Sequence, residues 1–144
     1  MNEAVIVGNI IQHLTVALGR RAVILKHNDR VTAGVPDISV TCGGRTTWLE
    51  VKLLRDWDEP LGALKKKFNA LQLATMRLLA ENGRALYVVA YRDHVGQKML
   101  GLYPPQYVVN VLNGTNPGVA YWASFHDSLV ELARRVQEGD RGKA

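Results

Sequence analysis

Two short runs of the sequence concentrate acidic and basic side chains at a spacing that can do chemistry. The first run is Gly34-Val35-Pro36-Asp37, and the second is Trp48-Leu49-Glu50-Val51-Lys52. Residues 37–42 and 46–54 are both rich in strand-forming types, and Gly43-Gly44 between them supplies a turn that needs positive φ. We therefore predict a β-hairpin with one carboxylate at its base.

Side chains of the second predicted strand alternate between two faces. Trp48, Glu50 and Lys52 share one face, and the apolar residues between them take the other. A face that carries an aromatic ring, an acid and a base is neither a core face nor a solvent face. Such mixed faces are candidate functional sites, so we expect the acid and the base to project side by side.

This set of side chains suits metal-assisted cleavage of a phosphodiester. Carboxylates bind Mg²⁺, a hard ion that takes oxygen ligands and keeps several waters. Asp37 and Glu50 would supply the carboxylates, and the Val51 carbonyl is a candidate third ligand. The ion would offset charge on the phosphate and generate hydroxide. Lys52 would orient or deprotonate the attacking water, or neutralise charge on the phosphate oxygens, and the sequence leaves these roles open.

Pro36-Asp37 followed by Glu50-Val51-Lys52 resembles the signature of the PD-(D/E)XK nuclease superfamily. With Gly34 and Trp48 included, the motif most resembles the VRR-NUC branch, which is similar to Holliday-junction resolvases. The resemblance covers residues 3–92 of the chain. It departs from the branch after Lys52, where Leu53-Leu54 replaces a glycine-rich continuation, so it implies a metal site rather than the shape of a substrate groove.

The resemblance also implies a fuller site and a biological setting. An acid on the first helix and a Gln on the helix after the motif strand complete the family's site, and Glu3 and Gln72 stand at the matching positions. The implied activity is a DNA endonuclease that uses Mg²⁺, or Mn²⁺ as a substitute, in replication, recombination or repair. A preference for branched or junction DNA and a homodimer with two active sites are implied as well.

Each piece of the motif also has a purely structural explanation. An Asp after Pro is an ordinary turn residue, and a Glu two residues before a Lys on a strand forms an ordinary salt pair. Their joint order and register favour the nuclease. Two alternatives stay open: a nucleic-acid-binding or inhibitory protein on the same fold, against which the complete Asp, Glu and Lys set argues, and an RNA-processing enzyme.

The elements around the motif follow from hydrophobic periodicity. Residues 3–18 read as a first helix that puts Glu3 on its packing face, residues 22–25 as a short strand, and residues 61–82 as a long amphipathic helix with Gln72 at the margin of its apolar stripe. Residues 84–91 read as a buried strand parallel to the Glu50 strand. We predict a restriction-endonuclease-like α/β/α core whose mixed sheet has about four to five strands.

The remaining chain is less regular. We expect a strand at residues 98–103, a short helix at 105–112 and an extended segment at 119–125. Ser128-x-x-Glu131 resembles a capping box that starts the last helix. The aromatic residues Tyr121, Trp122 and Phe125 fit core packing better than base stacking.

The chain length and the net charge limit the number of domains and the class of partner. A chain of 144 residues with 47% hydrophobic content suits one domain, and we expect its polar end, residues 138–144, to be frayed. The net charge of +5 suits a polyanionic partner such as DNA. The basic run Lys65, Lys66 and Lys67 is equally consistent with phosphate contact and with a solvated helix face.

Two further observations concern the compartment and a lone histidine. The single cysteine, Cys42, excludes an internal disulfide framework and reads as a small core residue. No stretch approaches the ~20 apolar residues of a membrane helix, so we expect a soluble cytoplasmic protein without a membrane partner. His27 reads more simply as a solvated side chain than as a phosphate contact.

Overall fold

A mixed β-sheet with helices on both faces forms the frame of the protein. The structure is a computed structural model that describes residues 2–27, 34–55, 68–82, 85–115 and 120–141. Within these ranges, six strands form one sheet in the order β1-β2-β3-β4-β5-β6. The elements are α1 (Glu3–Leu18), a 3₁₀ turn (Gly19–Arg21), β1 (Ala22–Lys26), β2 (Ile38–Cys42), β3 (Arg45–Leu53), α2 (Ala70–Glu81), β4 (Ala85–His94), β5 (Gln97–Tyr103), α3 (Pro105–Leu112), β6 (Tyr121–Ser124) and α4 (Phe125–Arg141).

The pairing of the strands confirms the predicted fold class. β3 and β4 run parallel, as expected for strands joined through a helix, and every other neighbouring pair is antiparallel. The described sheet has more strands than the expected four to five because β5 and β6 both continue it beyond β4. Both segments were expected to be extended; β5 joins β4 across the short turn at Val95-Gly96, whereas β6 joins β5 through a pairing between residues that are distant in sequence.

The hairpin that carries the motif forms as predicted. Gly43 and Gly44 connect the paired residues Cys42 and Arg45 with φ values of 60° and 80°. A two-residue turn with positive φ at both positions matches the right-handed twist of the flanking strands. It fixes the register so that Ile38 pairs with Leu49, and the next residue back along the chain, Asp37, stands at the mouth of the hairpin.

Each face of the sheet packs against its own pair of helices. We call the side covered by α1 and α4 the α1 face and the side covered by α2 and α3 the α2 face. The core of the α1 face includes Ile10, Leu14, Leu49, Val51 and Leu132. The core of the α2 face includes Met76, Leu86, Val88, Ala90, Tyr103 and Val108. Cys42 is buried on the α1 face, as predicted for a small core residue.

The first helix matches its prediction, whereas the second does not. α1 begins after Asn2, whose side chain accepts from the Val5 N–H, and it ends at Gly19 with φ 58°. The predicted helix over residues 61–82 is wrong at residues 68 and 69, which are not helical, because α2 starts at Ala70. The basic run Lys65, Lys66 and Lys67 lies outside the described residues.

The last helix also begins elsewhere than predicted. Ser124 caps α4, since its hydroxyl accepts from the Asp127 N–H at 3.2 Å, so the predicted capping box at Ser128 is wrong. Ser128 is instead fully buried within α4, where its hydroxyl donates to the Leu100 carbonyl at 2.9 Å. The Glu131 carboxylate pairs with the next-turn side chains Arg134 and Arg135.

Three further expectations concern the C-terminal end of the chain, its aromatic residues and a membrane-spanning helix. α4 continues to Arg141, and residues 142–144 lie outside the described ranges, so fraying of the tail stays a prediction. The Phe125 ring packs edge-on against Tyr91, and Trp122 packs in the same way against Tyr103, which confirms core packing for these rings. None of the helices in the described ranges has the length and apolar character needed to cross a membrane.

Candidate active site

An acid and a base lie buried side by side on the α2 face of β3. The side chains of Glu50 and Lys52 are only 4% and 7% exposed, and Lys52 Nζ lies 3.7 Å from Glu50 Oε1. Their parallel neighbours on β4 are Val88 and Ala90, which belong to the apolar core of this face. Because ionised side chains are rarely buried without partners, this pair needs a reason beyond packing.

Asp37 adds a second carboxylate at the mouth of the hairpin. Its Oδ2 atom accepts a hydrogen bond of 2.8 Å from the Val51 N–H, which lies between Glu50 and Lys52 in sequence. On the other side, the Asp37 carbonyl accepts from the His27 N–H at 2.8 Å, so the backbone that carries the acid is held to the end of β1. The structure thus places Asp37 beside Glu50 without any regular strand pairing at this residue.

The protonation of Glu50 reflects this crowded acidic environment. Burial raises the pKa of Glu50 to about 8, and the negative charge of Asp37 adds to the increase, while the positive charge of Lys52 opposes it. A hydrogen bond to Asp37 and the charge of Glu3 raise it further. Burial and the nearby carboxylates together outweigh the Lys52 ammonium, so the neutral form of the Glu50 carboxyl is favoured near pH 7.

Gln72 bridges the acid and the base from the opposite element. Its Nε2 group donates to Glu50 Oε1 at 3.3 Å, and its Oε1 atom accepts from Lys52 Nζ at 3.2 Å. The side chain comes from the first turn of α2 rather than from the middle of a long helix. The amide thus connects β3 to the N-terminus of α2 through the two central residues of the site.

A reciprocal cap holds Gln72 at the start of α2. Asn69 Oδ1 accepts from the Gln72 N–H at 2.8 Å, and the Asn69 N–H donates to Gln72 Oε1 at 3.1 Å. This pattern, a polar N-cap followed three residues later by Glu or Gln, is a capping box. The sequence carried the signal in Asn69-x-x-Gln72, but the apolar periodicity that extends past this point obscured it.

Two further residues pack around the same corner. The Phe68 ring lies under the Lys52 ammonium, with 4.8 Å between Nζ and the ring centroid. Gly34 has φ 101° and lies against the Leu71 backbone, where an added Cβ would come within 3.0 Å of the carbonyl oxygen. A glycine is needed there because the loop that leads to Asp37 touches the first turn of α2.

His27 is part of the wall of the site rather than a solvated side chain, so the simpler interpretation was wrong. Its Nε2 atom lies 2.8 Å from the Ser39 hydroxyl, and its ring centroid lies 5.2 Å from that of Trp48. Ser39 and Trp48 are paired across β2 and β3. The packing arises because the end of β1 lies against the hairpin, which no local pattern around His27 indicates.

Glu3 stands at the edge of this arrangement. It lies in the first turn of α1 and is exposed, whereas the packing face of the helix is made by Ile6, Val7, Ile10, Leu14 and Leu18. Its charge nevertheless contributes to the raised pKa of Glu50, which places it near that carboxyl group. In the described part of the chain, no group of three or more His, Cys, Asp or Glu side chains is arranged to hold a metal ion.

Comparisons with known proteins add a likeness of overall shape. No protein-family model matches the chain, and no curated protein matches it significantly. Among solved structures, the chain is similar to Hjc, a Holliday junction resolvase from the archaeal hyperthermophile Archaeoglobus fulgidus. The two are 16% identical, the similarity covers 69% of this chain and 78% of that chain, and the TM-score is 0.46.

Proposed function

We propose that the protein is a metal-dependent nuclease that hydrolyses phosphodiester bonds in DNA. The observation that carries the proposal is the cluster that the half-buried Asp37 forms with the buried Glu50 and Lys52, in which Glu50 has a pKa of about 8. Strongly perturbed carboxyl groups of this kind occur at functional sites because folding alone does not favour them. The net charge of +5 agrees with a polyanionic substrate.

The donor set fits a hard divalent cation. Asp37 and Glu50 would hold Mg²⁺ or Mn²⁺, since Mg²⁺ is commonly bound by one or two carboxylates and several waters. The Val51 N–H faces Asp37, and in a strand the N–H and carbonyl of one residue project toward the same neighbour. The Val51 carbonyl is thus a suitable third ligand. A bound cation would offset the burial and the negative charge of Asp37, which together raise the pKa of Glu50.

Side chains of the site would have the remaining roles in catalysis. When bound, the ion would polarise the phosphate and supply an activated water. Lys52 is held between Glu50, Gln72 and the Phe68 ring, so its ammonium can orient the attacking water or neutralise charge on the phosphate oxygens. Gln72 holds both central side chains, and Glu3 adds negative charge at the rim.

The substrate preference and assembly belong to the proposal as well. Branched or junction DNA as the preferred substrate, a role in replication, recombination or repair, and a homodimer that presents two active sites follow from the resemblance of the motif alone. Cleavage of RNA by the same site is the alternative, and the substrate panel below separates it from cleavage of DNA.

A cleavage assay on a panel of labelled substrates tests the proposal. Linear, flapped and four-way-junction DNA and a matched RNA would be incubated with Mg²⁺, Mn²⁺ or EDTA. We expect wild-type protein to cut DNA only with metal, and Lys52→Ala and Asp37→Ala to lose the activity, while the Ser124→Ala control keeps it. Binding of DNA without cleavage by wild type would support a silent binding protein, and equal cleavage by wild type and the two site variants would show that these residues do not carry the activity.

A further inference from the structure

The cap at the start of α2 is directly joined to the centre of the site. Asn69 does not touch Glu50 or Lys52 through any described hydrogen bond. Its side-chain oxygen and its N–H both bond to Gln72, which touches each of them, while its carbonyl accepts from the Leu73 N–H within the helix. The Gln72 side chain therefore serves at once as the capping partner of Asn69 and as the bridge between the acid and the base. A residue used in both ways can transmit the geometry of the helix start to the site.

The hydrogen bonds define one orientation of the Gln72 amide. Its oxygen receives two donors, the Asn69 N–H at 3.1 Å and the Lys52 ammonium at 3.2 Å, while its NH₂ group donates to the Glu50 carboxyl. Turning the amide over would set its NH₂ group against both donors and its oxygen against Glu50 Oε1. The Asn69 N–H thus selects the orientation that suits Lys52 and Glu50.

We propose that Asn69 is a positioning residue of the nuclease site, acting through the Gln72 amide; this inference rests on the function proposed above. The Asn69 side chain anchors the Gln72 N–H at 2.8 Å and so fixes the first turn of α2. With the first turn fixed in this way, the Asn69 N–H is held in position to donate to Gln72 Oε1. Gly34 lies against Leu71 from the other side, which leaves the turn little room to shift.

The first test compares Asn69 variants that differ only in capping. Asn69→Ala and Asn69→Gly both remove the side-chain acceptor, and Gly at an N-cap costs little stability, so at least one folded variant is secured. We expect each to lower kcat about tenfold or more with little change in KM, because a small misplacement of a site group is costly. Asn69→Ser restores an acceptor and should recover kcat to within about threefold of wild type.

Two controls separate positioning from stability. Ser124→Ala removes the matched cap of α4, away from the site, and should leave kcat unchanged. In a Gln72→Ala background, Asn69→Gly should have no further effect on kcat, since Asn69 acts only through the Gln72 side chain. A full additional loss in that background, or a loss of kcat in Ser124→Ala equal to that of Asn69→Gly, would overturn the proposal.

A measurement without substrate distinguishes this inference from the proposed function. The side-chain NH₂ resonances of Gln72 can be assigned in ¹⁵N spectra by their absence in Gln72→Ala. We expect them to be shifted and slowly exchanging in wild type and in Asn69→Ser, and to approach free-glutamine values in Asn69→Gly. Resonances that do not respond to Asn69→Gly would refute the positioning role, whereas a normal response in a protein that cuts no DNA would refute the nuclease alone.

Discussion

Replacing Glu50 by Gln should stabilise the metal-free protein, and the gain should grow with pH. The pKa of Glu50 is raised from 4.5 to about 8 in the folded protein. Between these two pH values the folded state keeps a proton that the unfolded chain has lost, so the free energy of unfolding falls as the pH rises. The contribution of the Glu50 carboxyl to stability is therefore fully present below pH 4.5 and is lost as the pH rises toward 8. Gln carries no charge, and its NH₂ group can replace the proton shared with Asp37.

The size of the stability difference follows from the difference between the pKa of Glu50 in the folded protein and its ordinary value. One pH unit corresponds to about 1.4 kcal/mol per proton, so wild type should lose about 3 kcal/mol relative to Glu50→Gln between pH 4.5 and pH 7. The side chain is 4% exposed, so solvent screens this difference little. For a domain of this size the difference corresponds to roughly 10 °C in Tm at pH 7.

Thermal and urea unfolding in EDTA between pH 5 and pH 8 would measure the difference. Glu81→Gln is a suitable control because it makes the same charge change at an exposed position near the end of α2. The gap between Glu50→Gln and wild type should widen steadily with pH, while the control follows wild type. Parallel stability curves for Glu50→Gln and wild type would refute the buried, protonated carboxyl.

Three other changes have defined outcomes. Gly34→Ala should lower the free energy of unfolding by about 1–3 kcal/mol, because its Cβ would clash with the first turn of α2 and because φ is positive at this residue. Urea denaturation measures the change, and an unchanged midpoint would contradict it. Ser128→Ala should cost about 1 kcal/mol, because it removes a buried hydrogen bond between α4 and the Leu100 carbonyl of β5. A neutral result in the same assay would show that the bond contributes nothing. Lys52→Met should raise the pKa of Glu50 further, because it removes the positive charge that opposes the increase. ¹³C NMR of the Glu50 carboxyl carbon measures this pKa, and a titration that stayed at the same pH or moved to lower pH would contradict the prediction.

Local patterns in the sequence predicted much of the frame. The Gly43-Gly44 turn and the two-residue alternation of β3 act over short distances, so the hairpin and the faces of Glu50 and Lys52 follow from them. α1 was equally readable, since its apolar stripe and the Gly19 stop are both local. The parallel pairing of β3 with β4 followed from the helix between them.

The contacts that complete the candidate site are not local. The packing of His27 on Trp48 requires β1 to lie beside the hairpin, and the pKa of Glu50 depends on burial that only the folded sheet creates. At the start of α2, two local signals competed, and the apolar periodicity obscured the cap at Asn69. Ser128 was misread as a cap because a hydroxyl that is buried against a distant carbonyl has the same sequence pattern.

Calorimetric titration of the metal-free protein with Mn²⁺ tests most directly the claim that Asp37 and Glu50 hold a divalent ion. With a pKa of about 8, Glu50 is mostly protonated at pH 7, so we predict that binding releases close to one proton, seen as a dependence of the heat on the buffer. Asp37→Asn keeps an acceptor for the Val51 N–H and should lose the binding. No Mn²⁺ binding by wild type, or equal binding by Asp37→Asn, would contradict the account.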